Sequence, residues 1–273
     1  MISRDLFDLK GTKILFSGAT GVLGTSMALY LAQQGAELLL LGRTPEKVNA
    51  LRDQITAEGG KASGYYADVT HEESLEKVKP LIESQHGSVA VLINAAGGNM
   101  PGAVIRPEQT FLDLDNDALR QVMDLNYLGT VFPVKVFLPL LLKNGGGTIL
   151  NISSMAASRP MTRVVGYASA KAAIDNLTKW LAVELASKHG PSFRVNALAP
   201  GFFLTEQNRT LLTQEDGSLT QRGTQIIGHT PMNRFGNPDD LLGALHWLCS
   251  DASKFVTGTT VAVDGGFSAY SGV

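Results

Sequence analysis

Residues 167–171 read Y-A-S-A-K, and Ser154 precedes them by one strand. Tyr167 and Lys171 stand four residues apart, which on a helix places a phenol and an ammonium on one face about a turn from each other. A free phenol titrates near pH ~10, too high for ready proton exchange at neutral pH. A nearby ammonium favours the phenolate and is expected to draw that value toward working pH. Ser154 adds a hydroxyl that can hold a substrate oxygen. The trio therefore predicts proton transfer to or from a carbinol carbon while another group moves the hydride.

Such groups need a scaffold that holds them. In 273 residues, short apolar runs at 13–17, 37–41, 61–67, 89–94, 148–153, 193–197 and 259–263 alternate with helical patterns starting near Val22, Pro45, Glu72, Asn116, Arg163 and Pro238. Continuous apolar strands predict a parallel sheet covered on both faces. The β-α-β-α-β order predicts an α/β, doubly wound single domain over 1–273, with ligands at the carboxyl ends of the strands. Residues 202–231 break the rhythm with many Thr, Gln and Gly and no clear strand. A long insertion beyond a strand end on the ligand side reads as a substrate lid.

The first strand runs into S-G-A-T-G-V-L-G at 17–24. Gly18, Gly21 and Gly24, with Thr20, Val22 and Leu23, form a tight turn that opens a helix, the setting in which a pyrophosphate meets a helix N-terminus. Asp68 and Val69 follow the third strand; Asn94, Ala95, Ala96 and Gly97 close the fourth, small enough for a flat ring to pass. The second strand ends in Gly42-Arg43 rather than a carboxylate, and arginine there accommodates a 2′-phosphate. The cofactor is expected to be NADP or NAD, with Arg43 leaning toward NADP.

In this order the motifs resemble the short-chain dehydrogenase/reductase family over nearly the whole chain: the glycine loop, Asp68, N-A-A-G, Asn126 in M-D-L-N-Y, Ser154 in N-I-S-S, Tyr167 with Lys171, P-G-F-F-L-T at 200–205, and V-T-G-T-T-V-A-V-D-G-G at 256–266. The glycine spacing departs from many members, with Val22 where they carry a glycine. The resemblance implies that Asn126 completes a catalytic tetrad, holding a water that links Lys171 to solvent. It further implies that Pro200, Gly201, Phe203 and Thr205 contact the cofactor together with Tyr167 and Lys171, and that the assembly is a homotetramer. Within the family, L-F-D-L-K-G at 6–11, G-G-N-M-P-G-A at 97–103, F-F-L-T-E-Q-N-R-T-L-L at 202–212 and G-G-F-S-A-Y-S-G-V at 265–273 resemble the D-mannonate oxidoreductase group, which implies a keto sugar acid such as D-fructuronate and is associated with NAD(H).

A sugar acid needs a partner for its carboxylate, which an arginine fork provides. Arg159 and Arg163 lie between Ser154 and Tyr167; Arg209, Asn99 and His229 are further candidates, and each arginine is also readable as a solvated loop charge. The polar run Glu206, Gln207, Asn208, Arg209 and Thr210 suits a hydroxylated substrate better than an acyl thioester or a steroid. A cofactor-sensing protein without activity would lack the tetrad.

Twenty-three basic against 25 acidic side chains, with a net charge of −2 and no basic block, argue against nucleic acid as a partner. The apolar run at 131–142 contains Lys135, Pro133 and Pro139 and is too short to span a bilayer. Without a signal-like start, the chain is expected to be cytoplasmic. Cys249, the single cysteine, sits in an apolar helical run and reads as core. His71, His86, His189, His229 and His246 show no ligand spacing, so no metal is expected.

Overall fold

The computed structural model describes residues 5–205 and 208–272. In chain order the elements are β1 (Lys13–Ser17), α1 (Val22–Gln33), β2 (Glu37–Gly42), α2 (Pro45–Ala57), β3 (Lys61–Tyr66), α3 (Glu72–His86), β4 (Val91–Asn94), α4 (Asn116–Met123), α5 (Gly129–Lys143), β5 (Gly147–Ile152), α6 (Val165–His189), β6 (Phe193–Pro200), α7 (Arg209–Leu212), α8 (Gln221–Gly228), α9 (Leu242–Cys249) and β7 (Thr260–Val263). The seven strands form one parallel sheet in the order β3-β2-β1-β4-β5-β6-β7. The order reverses between β1 and β4, the switch point at which doubly wound sheets open a crevice.

Strand residues feed two cores in alternation, as the two-residue period of a strand requires. Ile14, Phe16, Leu38, Leu40, Val91 and Ile93 pack with Met27 and Leu31 of α1, Leu51 and Ile55 of α2, and Leu245 and Leu248 of α9. Leu15, Leu39, Leu41 and Leu92 face the other way, against Leu75 and Ile82 of α3, Phe137 and Leu141 of α5, and Leu181 and Leu185 of α6. Cys249 is buried in the first core, and burial pushes its thiol up to about 12.

Three local features differ from the sequence expectation. Helix α6 starts at Val165 rather than Arg163, because Arg163 has a left-handed backbone (φ 74°) that a helix cannot include. The last helix is preceded by a 3-10 turn, Pro238–Leu241, fixed by reciprocal capping between Asn237 and Asp240. The helix from Asn116 does not run straight into α5. A π turn, Asp124–Leu128, joins the two into a helical stretch, Asn116–Lys143, that is long and apolar enough to cross a membrane by length and composition. Half of its most apolar window is buried against the rest of the protein. The insertion at 202–231 carries α7, α8 and a bridge between Thr213 and Leu219; Glu206 and Gln207 lie outside the described residues.

Candidate active site

The carboxyl ends of β1, β4 and β5 meet at the switch point. Gly18 has φ 77°, and a Cβ there would lie 2.3 Å from the Ala96 nitrogen. A Cβ on Gly24 would lie 2.3 Å from the Gly18 carbonyl oxygen. The glycine loop is thus pressed against the Ala95–Ala96 backbone at distances only glycine allows. Helix α1 begins at Gly21 with no side-chain cap, leaving its first N–H groups open to an anion. Gly18, Thr20, Gly21, Arg43, Lys47, Asp68, Val69, Ala95, Ala96 and Gly97 line a recess of about 270 Å³. Asp68 accepts hydrogen bonds from the Thr70 amide and hydroxyl; burial alone would raise its carboxyl, but these bonds, His71 and Arg43 hold it below the usual range.

Sharing Gly18, Gly21, Ala95 and Gly97 with that recess, a second one of about 380 Å³ leads to the catalytic groups. It is lined by Val22, Leu23, Ser154, Tyr167, Lys171, Pro200, Gly201, Phe203 and Thr205. The uncapped helix and the cradle that any Cβ would fill fit a nicotinamide dinucleotide, held by the glycine loop, Asp68 and the 200–205 segment. Asn94 is an exception. Its amide nitrogen donates to Asn151 Oδ1 inside the sheet, and Asn151 in turn donates to Thr178 on α6. The Asn94 side chain therefore braces β4, β5 and α6 and does not line either recess.

Ser154 has an extended backbone just beyond β5, and its Oγ accepts from the Ala156 amide. Lys171 Nζ lies 5.6 Å from the Tyr167 ring centroid and donates to the Ile152 carbonyl at 2.7 Å. The π turn brings in Asn126, whose Nδ2 donates to the Gly98 and Val122 carbonyls while its Oδ1 accepts from the Gly98 amide. A Cβ on Gly97 would stand 2.7 Å from Asn126 Oδ1 and 3.2 Å from Lys171 Nζ, so all four tetrad residues converge around that glycine and the recess beside it.

The titration order differs from the sequence expectation. Burial raises the Tyr167 phenol, and the Ser154 hydroxyl offsets only part of that rise. Burial also brings Lys171 down to about 8, with Asp175, one turn further along α6, acting in the opposite sense. Loss of solvent is the largest influence on both groups. A raised phenol keeps its proton at neutral pH, the state a proton donor to a carbonyl requires. Burial raises the Asp175 carboxyl too, against the pull of Ser153, Thr260, Lys179 and Lys171.

The arginines separate. Arg159 donates through Nε and Nη2 to the Ser268 carbonyl, tying the C-terminal segment down; this correction leaves it a strap rather than an open carboxylate partner. The exposed Asn99 caps its own loop, accepting from the Met100 amide. Arg209 is exposed on α7. The His229 ring sits at the end of α8 against Phe267 and Tyr270. Arg163 is exposed, two residues ahead of α6 and four ahead of Tyr167, with its carbonyl accepting from the Ile105 amide. Asn208, named in the sequence only as part of a polar lid run, has a more specific place, and Arg222 was not singled out at all. Asn208 lines the inner recess and braces the 200–205 segment, donating to the Phe203 carbonyl and accepting from the Thr205 amide. Arg222, half-buried on α8, was hidden in the aperiodic insertion.

Sheet order, glycine cradle and the phenol–lysine pair together define a nicotinamide-dependent oxidoreductase of the doubly wound class. A family model described as enoyl-(acyl carrier protein) reductase matches residues 18–268. The chain belongs to the short-chain dehydrogenase/reductase family, and it is an NAD(P)-dependent oxidoreductase acting on a CH–OH group. It is 47% identical to an uncharacterized oxidoreductase, UxuB, of Bacillus subtilis, over 97% of this chain and 98% of that one. It is 33% identical to the 7alpha-hydroxysteroid dehydrogenase of Escherichia coli K12, over 97% and 98%. A Haemophilus influenzae protein proposed to be a D-mannonate oxidoreductase, solved with bound NAD, superposes with a TM-score of 0.92 at 42% identity, covering 97% of this chain and 98% of that one. A gluconate 5-dehydrogenase from Burkholderia cenocepacia, in complex with NADP and tartrate, superposes at 0.85 with 29% identity over 97% and 98%.

Proposed function

We propose that this enzyme interconverts a keto sugar acid and its hydroxy acid, with D-fructuronate and D-mannonate as the first pair to test. The observation that carries the chemistry is the half-buried Tyr167, which keeps its proton at neutral pH, beside Ser154 and the buried Lys171 in one recess. The substrate class is supported by the likeness to the Haemophilus protein and to the gluconate dehydrogenase crystallised with tartrate.

In the reduction direction, the Ser154 hydroxyl donates to the substrate carbonyl oxygen and fixes its position. Tyr167 then gives that oxygen its proton as negative charge develops there. The Lys171 ammonium, fixed at the end of β5 by the Ile152 carbonyl, stabilises the phenolate left behind. Asn126 keeps the Gly98 backbone and the π turn in register beneath the lysine. A dinucleotide held by the glycine loop, Asp68 and the 200–205 segment would supply the hydride. We further propose that the 202–231 insertion is a lid that limits water during the reaction.

NADP(H) is proposed as the preferred cofactor, on the exposed cations Arg43 and Lys47 lining the outer recess. A homotetramer is proposed from apolar side chains left open on α6, Trp180 (58% exposed) and Val183 (69%). The steroid dehydrogenase relative supports a second reading, a larger apolar substrate. A panel of hexuronates, ketogluconates, neutral ketoses and oxo-steroids, each with NADH and NADPH, separates the two. The proposal expects a hexuronate or ketogluconate to give the highest kcat/KM, and an oxo-steroid in that place would overturn it.

A further inference from the structure

The catalytic recess shares a wall with a second cavity. Phe202 and Phe203, just beyond β6, line the inner recess together with Ser154 and Tyr167. The same two residues line an adjoining cavity of about 360 Å³, which also carries Thr230, Met232 and Val263. The two rings therefore stand as a partition between the reacting groups and a space nearly as large as the recess itself.

The rings differ in freedom. Phe203 is buried in the first core, and a Cβ on Gly236 would lie 2.7 Å from its ring, so it has no room to turn. The backbone is pinned as well: the Gly236 amide donates to the Phe202 carbonyl, and the Leu204 amide to the Gly236 carbonyl. Phe202 is only half-buried, and its ring meets Phe267 edge-on with 5.3 Å between centroids. Phe267 belongs to a turn closed by the Asp264 carboxylate, which accepts from the Gly266 and Ser268 amides. Arg159, from the catalytic segment, holds the Ser268 carbonyl at 2.8 Å. The strap thus keeps Phe267 against Phe202.

The second cavity offers little to a hydroxylated molecule, because the polar groups around it are already engaged. The Arg234 fork is taken by Asp240, the Asp264 carboxylate by the two amides, and the Thr230 hydroxyl donates to the Ile226 carbonyl. What remains is the surface of Phe202, Phe203, Met232, Ala262 and Val263, which suits hydrocarbon.

We propose that Phe202 is the residue that limits substrate size. In place, its ring confines the substituents of the reacting carbonyl to the recess and admits a small keto acid. Removed, it joins the adjoining cavity to the recess and admits a bulky apolar ketone. Arg159 and Phe267 are positioning residues that act through the Phe202 ring. The gate takes its small substrate from the keto-acid reading, and it turns away the larger apolar substrate of the second reading.

The test compares the best small substrate of the panel, D-fructuronate for the leading reading, with androstanedione, an apolar four-ring ketone. It uses the full-length enzyme with its preferred nicotinamide cofactor, and each variant is checked for a cooperative melt. Phe202→Ala should raise kcat/KM for androstanedione at least about ten-fold over the unmodified enzyme, the low end of what one methylene is worth in a fitted apolar pocket. The gain should fall mainly in KM. Phe202→Leu, a milder truncation, should give an intermediate gain and serves where the alanine variant does not fold. Phe202→Trp keeps the partition and should give none. Phe267→Ala and Arg159→Ala should shift the ratio of the two kcat/KM values in the same direction by less; a merely structural loss would lower both values and leave the ratio unmoved. If Phe202→Ala and Phe202→Leu leave that ratio where it stands in the unmodified enzyme, the gate is wrong and the keto-acid reading is untouched. If the unmodified enzyme reduces neutral ketoses as well as acids while Phe202→Ala still gains the steroid, the keto-acid reading fails and the gate stands. Efficient reduction of androstanedione by the unmodified enzyme would overturn both.

Discussion

The cofactor half and the substrate half of this molecule are built by different means. Between β1 and β4, contact is made largely by backbone: Gly18 against Ala95 and Ala96, Gly24 against the Gly18 carbonyl, and an uncapped helix start at Gly21. The requirement there is for the absence of side chains, and a sequence displays that openly as glycine and alanine at fixed spacing. Across β5, α6 and α8, by contrast, the work falls to side chains whose partners lie far away in sequence. Arg159 reaches Ser268, 109 residues on, and Asn126 reaches the Gly98 carbonyl, 28 residues back. The first half is therefore sensitive to added atoms, and the second to removed ones.

Removing one oxygen from the catalytic half should have the largest effect. Tyr167→Phe keeps the ring but loses the acid, and kcat should fall by roughly 10²–10⁴-fold while cofactor affinity stays within about threefold. Near-normal turnover would show that the proton comes from elsewhere. Adding one carbon to the other half is the complementary experiment. A Cβ at Gly18 would sit 2.3 Å from the Ala96 nitrogen. Gly18→Ala should weaken both NADH and NADPH by about a hundred-fold or more, since the backbone must move and a left-handed φ is lost to strain. Normal cofactor titration in that variant would contradict the cradle.

Arg43 is the place where a side chain intrudes on the backbone half. Arg43→Ala should weaken NADPH about ten- to a hundred-fold and leave NADH within about twofold, because only the former offers a 2′-phosphate to pair. Equal losses would assign Arg43 a structural role. A smaller effect concerns Lys171, whose folded value of about 8 lies below the ordinary 10.5. A lysine shifted downward weakens the fold while it is charged. That penalty is present in full below pH 8 and disappears as pH rises past the unfolded value. Lys171→Met should accordingly raise stability at pH 7 by about 2 kcal/mol, roughly 3 from the relieved charge less about 1 from the lost bond to the Ile152 carbonyl, though it abolishes turnover. Calorimetry should show that gain shrinking between pH 8 and pH 10; a gain that grows with pH would reverse the assignment.

The same contrast explains what was legible in the sequence. β1 matches its predicted span, and the other strands shift by at most three residues at an end, because continuous apolar runs leave little freedom. Ser154, Tyr167 and Lys171 were found because strand end and helix spacing are local. That the Asn94 side chain turns into the sheet was not legible, because its partner, Asn151, is set by sheet order rather than spacing. Nothing local predicted that burial would raise Tyr167, since burial belongs to the assembled fold. Asn208's place in the inner recess was hidden for a related reason: an insertion with no periodicity gives no hint of which side chain points inward.

The most direct measurement of the central claim is the ratio of kcat/KM for D-fructuronate to that for D-fructose with the unmodified enzyme, taken with its preferred nicotinamide cofactor. A substrate carboxylate held by arginine in a closed site should favour the acid by at least about ten-fold, the contribution of a single charge-assisted hydrogen bond. A ratio of one or less would contradict it, and the catalytic half would then belong to a reductase of neutral carbonyl compounds.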